Sequence, residues 1–361
     1  MDRAHNKNSL YAVIGLLMLS ARGFALTAPP ICHPLLWPAT TTVVNPSLLA
    51  PEDLIANLQH VSKNIRNRRA HPVSTLSSAG KIKLDDPGLV ASREAFKDAE
   101  NSAVLALTYR LTHNKSYFNK TKKTLLEWAR VNQPTGNPID ETKLEGMIWA
   151  YDLISCDLSY PDKQQILRWF DRIRQKKIAW TFGKQTRINN HRIHQIKMLL
   201  LLDKVLQLNQ DWLRDLNNAE HYATLNLNSQ SGLSVDYTQR RSLYYHNYVL
   251  QPWLEISLIS GCCHNPTQQA FIFLSDKILT HHIGGEFLYS QANIDKLRAK
   301  NGFTYAQLGG QFDVTKAAST IVTYYTLNQD KPDPRLWSLV EKSKRTPWLS
   351  FIMARRLLWQ P

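Results

Sequence analysis

From Pro87 onward the chain reads almost entirely as helix, and that run constrains the fold more than any other feature. Apolar residues recur at spacings of three and four rather than two, the period of an amphipathic helix. Segments 92–113 (SREAFKDAENSAVLALTYRLTH) and 115–131 (KSYFNKTKKTLLEWARV) flank a turn at Asn114, which makes an αα-hairpin. Pro134-Thr135-Gly136-Asn137-Pro138 is a stop signal, and residues 141–156 form the next helix. Ser159, followed by Pro161 and Asp162, reads as a capping box that opens the helix of Ile166, Leu167, Trp169, Phe170 and Ile173. Segments 192–208, 212–228, 242–260, 266–283 and 312–327 also read as helices. Strand-like alternation is scarce, no short repeat marks a TPR or ankyrin array, and no break divides the chain into two cores. The expectation is an all-α chain of about ten antiparallel helices, packed as hairpins in a bundle, a solenoid or a closed toroid.

The N-terminal part reads differently. Arg3 and Lys7 precede an apolar stretch, 10–19, that is shorter than the roughly 20 residues needed to span a bilayer. Gly23 and Ala25 supply small residues at −3 and −1, so residues 1–25 are expected to be a signal peptide cleaved after Ala25. Residues 26–51 are rich in Pro and Thr and form an extended lead-in. Helical spacing begins with Leu54, Ile55, Leu58, Val61 and Ile65, is interrupted by a basic loop around Arg68, Arg69 and His71, and resumes after Pro87. The expected organisation is a leader (1–25), a lead-in (26–51) and one helical domain (52–361). The mature protein would be exported to the periplasm or secreted, would be monomeric, and would have no stable membrane insertion after cleavage. Export permits disulfides, and one bridge from Cys32 or Cys156 to the adjacent Cys262 and Cys263 is expected.

The 361 residues carry 44 Lys plus Arg against 29 Asp plus Glu, a formal charge of +15. Removing the leader takes away three basic residues and one acidic one, leaving +13. A hydrophobic content of 43% excludes a disordered or fibrous chain, so the charge points to an acidic partner of a globular protein. Nucleic acid is not expected, because export argues against it. Lys120, Lys122, Lys123, Lys176 and Lys177 read as solvated helix surface. His264, His281 and His282 lack ligand spacing, and no two Cys and two His fall in a zinc pattern, so no metal or cofactor is expected.

Two polar clusters stand out: Thr186 to His194, containing Asn189, Asn190, His191, Arg192 and His194, and Gln239 to Tyr248. Asn190 sits where a helix starts, a position that favours Asn and whose free backbone N–H groups attract anions. Arg241, Tyr244, Tyr245 and Tyr248 fall at i, i+3, i+4 and i+7, one helix face whose ends differ by roughly 10 Å of rise. Proton abstraction next to a carboxylate uses such residues together without a metal. Removing the C5 hydrogen of a uronic acid builds charge on its carboxylate, which hydrogen bonds or an Arg must neutralise. A base takes the proton, and an acid protonates the leaving oxygen at C4. Tyr starts from a pKa of about 10, and a nearby cation favours its phenolate.

Asn189-Asn190-His191 and Tyr245-His246-Asn247-Tyr248, with Arg241 seven residues before Tyr248, resemble the two signature segments of the alginate lyase family. Pro138 to Leu153 (PIDETKLEGMIWAYDL) resembles one of its middle helices, and the resemblance spans roughly 95–260. It implies an incomplete α/α toroid with a long cleft and an anionic, uronate-containing polysaccharide as substrate. By that resemblance Asn190 and Arg241 would neutralise the substrate carboxylate. His191 would help or act as base, and Tyr248 would donate the proton and, for mannuronate, could also serve as base. Arg68, Arg69, Arg240, Tyr244, Tyr245 and His246 are the substrate-binding candidates. The chain departs from the mannuronate-specific pattern after His191, where Arg192-Ile193-His194 stands in place of aromatics. Two alternatives remain open. An α/α-toroid glycoside hydrolase would need paired carboxyl groups, for which Asp98 with Glu100, Asp140 with Glu141, and Asp152 are candidates. A non-catalytic protein binding acidic polysaccharide would need only the basic cleft.

Overall fold

A computed structural model describes residues 34–37 and 52–358. The expected leader and most of the lead-in lie outside the described residues. The described residues fall in one compact unit, and it is built from helices whose ends are marked by local chemistry. In chain order these are α1 (Glu52–Arg66), α2 (Pro87–Thr112), α3 (Lys115–Val131), the short α4 (Pro138–Glu141), α5 (Glu145–Ile154), α6 (Tyr160–Ile178), α7 (Asn190–Val205) and α8 (Asn209–Asn226). They continue with α9 (Val235–Arg240), α10 (Leu243–Ser260), α11 (His264–Leu279), α12 (Asn293–Lys300), α13 (Ala318–Asn328), α14 (Pro334–Lys342) and α15 (Pro347–Leu358). The one sheet among the described residues is a small antiparallel pair, β1 (Gly284–Glu286) with β2 (Gly310–Gln311).

The caps explain the boundaries. Asp86 accepts from the Leu89 N–H at the start of α2, with Pro87 in the first turn. His113 ends α2 in a left-handed conformation (φ 55°), and Asn114 then caps α3. Ser159 caps α6 as the sequence indicates. Four helices were not expected: α9, α12, α14 and α15. For α14 the signal was present, since Asp333 caps it and Pro334 occupies its first turn.

The expected α/α toroid is the observed architecture. The helices α2, α5, α7, α10, α13 and α15 each contact the next, and α15 returns to α2, closing an inner ring. The partners α1, α3, α8, α11 and α14 pack on the outside of α2, α2, α7, α10 and α13, and α6 bridges α3 and α7. Burial follows this order: every residue of α5 is buried, whereas α3 and α8 bury only one face. The core is one continuous cluster that includes Trp128, Trp149, Trp169 and Trp253, each fully buried. Helices α2 and α5 approach so closely at Gly146 that a Cβ there would lie 2.4 Å from the Ala99 carbonyl oxygen. A buried ion pair joins α10 to α15, with Arg355 donating to Glu255 at 2.9 and 2.7 Å.

The cysteine expectation is corrected. Cys156 is disulfide-bonded, while Cys262 and Cys263 are free thiols. Cys262 is packed into the core cluster and Cys263 forms the left-handed turn (φ 63°) that starts α11, so both serve the α10–α11 hairpin. No helix among the described residues is long and apolar enough to cross a membrane.

Candidate active site

A cavity of about 510 Å³ opens at the ring end where α2, α7 and α10 begin. Residues 78–81 of the loop before α2, the early turns of those helices, the end of α9 and the segment from 291 to 305 form its walls. The first-turn N–H groups of α7 and α10 are taken by protein acceptors, so only the positive ends of the helix dipoles favour an anion here. The side chains add to that field. Lys81, Arg93, Lys143, Arg240 and Arg298 line the cavity, and among the described residues no Asp or Glu does.

Asn190 and His191 occupy the first turn of α7. The cap of that helix is Asn189, one residue earlier than expected: its Oδ1 accepts from the His191 backbone N–H at 3.1 Å. Asn190 is instead the first helical residue, buried, and held by Asp236 of α9. The Asn190 backbone N–H donates to both Asp236 carboxylate oxygens (3.1 and 3.0 Å), and its side-chain amide donates to the same carboxylate. Asn226 donates to Asp236 as well, at 3.3 Å, and its Oδ1 accepts from Trp253 Nε1 at 2.8 Å. Burial pushes the Asp236 pKa up to about 6 against the pull of these donors. Burial, with Arg240 and Arg298 nearby, pushes His191 down to about 4, so its imidazole is neutral at pH 7.

Tyr244, Tyr245 and Tyr248 share the opening turns of α10. Ser242 caps the helix, and Glu286 of β1 accepts from Ser242 Oγ (2.7 Å) and from the backbone N–H groups of Leu243 (2.6 Å) and Tyr244 (3.1 Å). The aromatic side chains form a wall: Tyr244 stacks on Tyr305 at 4.5 Å and lies parallel to Tyr248 at 6.4 Å. Burial, reinforced by the neighbouring phenols, raises the pKa of Tyr248 well above its ordinary value. Tyr248 therefore keeps its proton, and the cation-favoured phenolate considered from the sequence is not its state here. Arg240 stacks its guanidinium 3.9 Å from the Tyr245 ring centroid and forms a bidentate pair with buried Asp295 of α12. Arg298 donates to Tyr245 Oη at 3.2 Å and to the Lys81 carbonyl at 3.0 Å, tying α12 to the loop before α2.

The structure therefore brings together Asn190, His191, Arg240, Tyr244, Tyr245 and Tyr248 on one cavity. It does not bring Arg241 there. The chain leaves the helix at that residue, which adopts φ 47° as the cap of α9, so the one-face spacing from Arg241 to Tyr248 does not hold. Arg241 is exposed and lines a separate depression with Tyr237, His282 and Glu286. His246 is also placed elsewhere: fully buried, it donates Nε2–H to the Ala270 carbonyl (3.0 Å) and accepts at Nδ1 from Ser234 Oγ (2.9 Å). It braces α10 against α11. Arg68 and Arg69 are exposed and do not line the cavity; the part of that loop that does is 78–81. This stretch is fixed by Asp140, which accepts from Ser78 N–H, Ser78 Oγ–H and Ala79 N–H at 2.6, 2.6 and 2.8 Å.

The carboxylates considered for hydrolysis have structural partners. Asp98 accepts from the His71 N–H and Trp128 Nε1, Glu141 from the Thr135 and Gly136 N–H groups, and Asp152 from the Leu35 and Leu36 N–H groups. Sequence reasoning missed Asp236, Asp295, Arg298, Lys143 and Tyr305. Only Asp236 had a local signal, since Ser234 caps the short helix that presents it. The others reach the site through tertiary packing.

The family profile described as Alginate lyase matches residues 59–261. No curated protein sequence matches the chain. Among solved structures, alginate lyase A1-III from Sphingomonas species A1 is similar at 14% identity, with 85% of this chain and 91% of that chain covered and a TM-score of 0.55. A histidine-to-alanine variant of alginate lyase A1-III in its apo form is similar at 14% identity, over 89% and 94% of the two chains, with a TM-score of 0.60. The same variant complexed with a tetrasaccharide is similar at 13% identity, over 84% and 92%, with a TM-score of 0.55. At this identity these likenesses bear on the fold alone.

Proposed function

Because the chain belongs to the alginate lyase family, and is therefore a polysaccharide lyase, we propose that it cleaves a uronate-containing polysaccharide by β-elimination in the cavity at the head of α7 and α10. The observation that carries this reading is the lining: five cations and, among the described residues, no carboxylate, around Asn190, His191 and Tyr248. Such a wall suits a polyanion and lacks the facing carboxyl pair that glycoside hydrolysis requires.

In this mechanism the substrate carboxylate lies against Asn190, whose amide is oriented by Asp236, and against Arg240 and Arg298. These donors stabilise the charge that grows on the carboxylate as the C5–H bond breaks. Neutral His191 takes the C5 proton. An approaching anion raises its depressed pKa, which strengthens the base when substrate is in place. The electron pair from C5–H forms the C4=C5 double bond, the C4–O bond breaks, and Tyr248 gives its proton to the leaving oxygen. The products are a sugar with a new hydroxyl and an unsaturated uronate, and no water is consumed.

The test is to incubate the purified protein with polymannuronate, polyguluronate, glucuronan and hyaluronan and follow ultraviolet absorbance from a conjugated double bond. Absorbance on at least one polymer is expected. New reducing ends without absorbance would contradict elimination in favour of hydrolysis, and binding with neither signal would indicate a non-catalytic binding protein. Export belongs to the same proposal: protein recovered outside the cytoplasm should begin at Leu26, and retention of Met1 there would contradict it.

A further inference from the structure

The inner ring encloses a second cavity of about 210 Å³ beside the first, and Tyr248 and Lys143 line both. All six inner helices contribute to its wall, with Glu100 on α2, Gly146 on α5, His194 on α7, Tyr248 on α10, Ser319 on α13 and Trp348 on α15. It is therefore the bore of the toroid, with Tyr248 at its junction with the first cavity. His194 is buried within this wall, its ring centroid 4.6 Å from that of Tyr248. Its Nδ1 shares a hydrogen bond with Thr142 Oγ1 at 3.0 Å, while its Nε2 has no hydrogen-bond partner among the described residues. Leaving such a buried nitrogen unpartnered is costly, and this one belongs to a residue that lines a cavity.

The charges are also placed for a ligand. Lys197 is engaged by Glu145, whereas the Lys143 ammonium sits 5.9 Å from the Tyr248 ring centroid, at the junction of the two cavities. Glu100 supplies an acceptor on the same wall. A carboxylate together with hydroxyl groups would use Lys143, His194 Nε2 and Glu100 at once; a bare inorganic anion would leave Glu100 opposed to it. Clefts for drug-sized ligands run about 300–1,000 Å³. The second cavity is smaller than that range, so it suits one sugar unit, while the main cavity suits several.

We propose that this cavity receives the terminal uronate unit of a polysaccharide chain, so that the bond presented to Tyr248 is the one nearest a chain end and single units are released. This inference rests on the lyase reading above. Its test is the size of the first products from a defined hexasaccharide of the polymer that the protein cleaves. Wild type should release single units from the earliest time points, and Ser319→Trp, which fills the cavity, should lower that release at least tenfold. First products of two or more units, or an identical profile in Ser319→Trp, would overturn the proposal. If no polymer is cleaved, the lyase reading fails separately, and calorimetric titration with monomeric glucuronate and mannuronate decides the site. At least tenfold weaker binding in Ser319→Trp and in His194→Leu supports it; equal binding, or no binding to wild type, overturns it.

Discussion

Arg240 and Arg241 are neighbours in sequence, yet only one of them faces the cavity. Arg240 is clamped by Asp295 and Tyr245 on the cavity wall, whereas Arg241 turns away as the left-handed cap of α9. Arg240→Gln should lower kcat/KM on the order of 10²-fold, as loss of a charge-stabilising donor does. Arg241→Ala should stay within about twofold, because surface changes away from a site have small effects. Steady-state kinetics of the pair checks this, and the reverse ranking would contradict the placement. Tyr248→Phe should lower turnover by roughly 10²–10⁴-fold, the usual contribution of general acid–base catalysis, with thermal unfolding unchanged. The pH profile gives an independent reading of His191. Burial holds its folded pKa at about 4, below the ordinary histidine value, so the base form persists as pH falls through the ordinary histidine range. The acid limb of kcat/KM, which reports the free enzyme, should therefore fall well below pH 6.5; a limb at 6.5 would place the base elsewhere. Asn190, His191 and Tyr248 were legible in the sequence because the motif is local. Arg241 was misplaced because spacing assumed one helix where Ser242 starts a new one.

Helix boundaries were legible wherever caps and periodicity agreed, as at Asp86, Asn114 and Ser159. What could not be read was which helices touch. The α2–α5 contact depends on Gly146 having no side chain, and nothing local in a helical glycine reveals the Ala99 carbonyl against it. Gly146→Ala should destabilise the protein by about 1–3 kcal/mol through overpacking, despite the better helix propensity of Ala. Thermal or urea unfolding measures this, and a gain in stability would contradict the close approach. The α10–α15 pair makes a second case. Glu255→Leu leaves Arg355 buried without its carboxylate and should cost about 3–5 kcal/mol, and adding Arg355→Met should recover most of that loss. Equal stability of the single and double variants would show that the pair carries no such coupling.

Across the whole molecule, the formal charge of +15 is not concentrated on the loop of Arg68 and Arg69 that first drew attention. Five of its cations line one cavity, drawn from the loop before α2, α2 itself, the α4–α5 connection, α9 and α12. Helical periodicity left a bundle, a solenoid and a toroid all open, since it reports the face of each helix and not its neighbour. Closure is set by α15 returning to α2, and that helix went unnoticed in the sequence. Under the proposed function, this cavity breaks a C–O bond by elimination, without water. Mass spectrometry of both fragments from one cut of a defined oligouronate tests that most directly. The two fragment masses should sum to the mass of the starting oligosaccharide, with one fragment carrying the double bond. A sum larger by one water would mean hydrolysis and would contradict elimination.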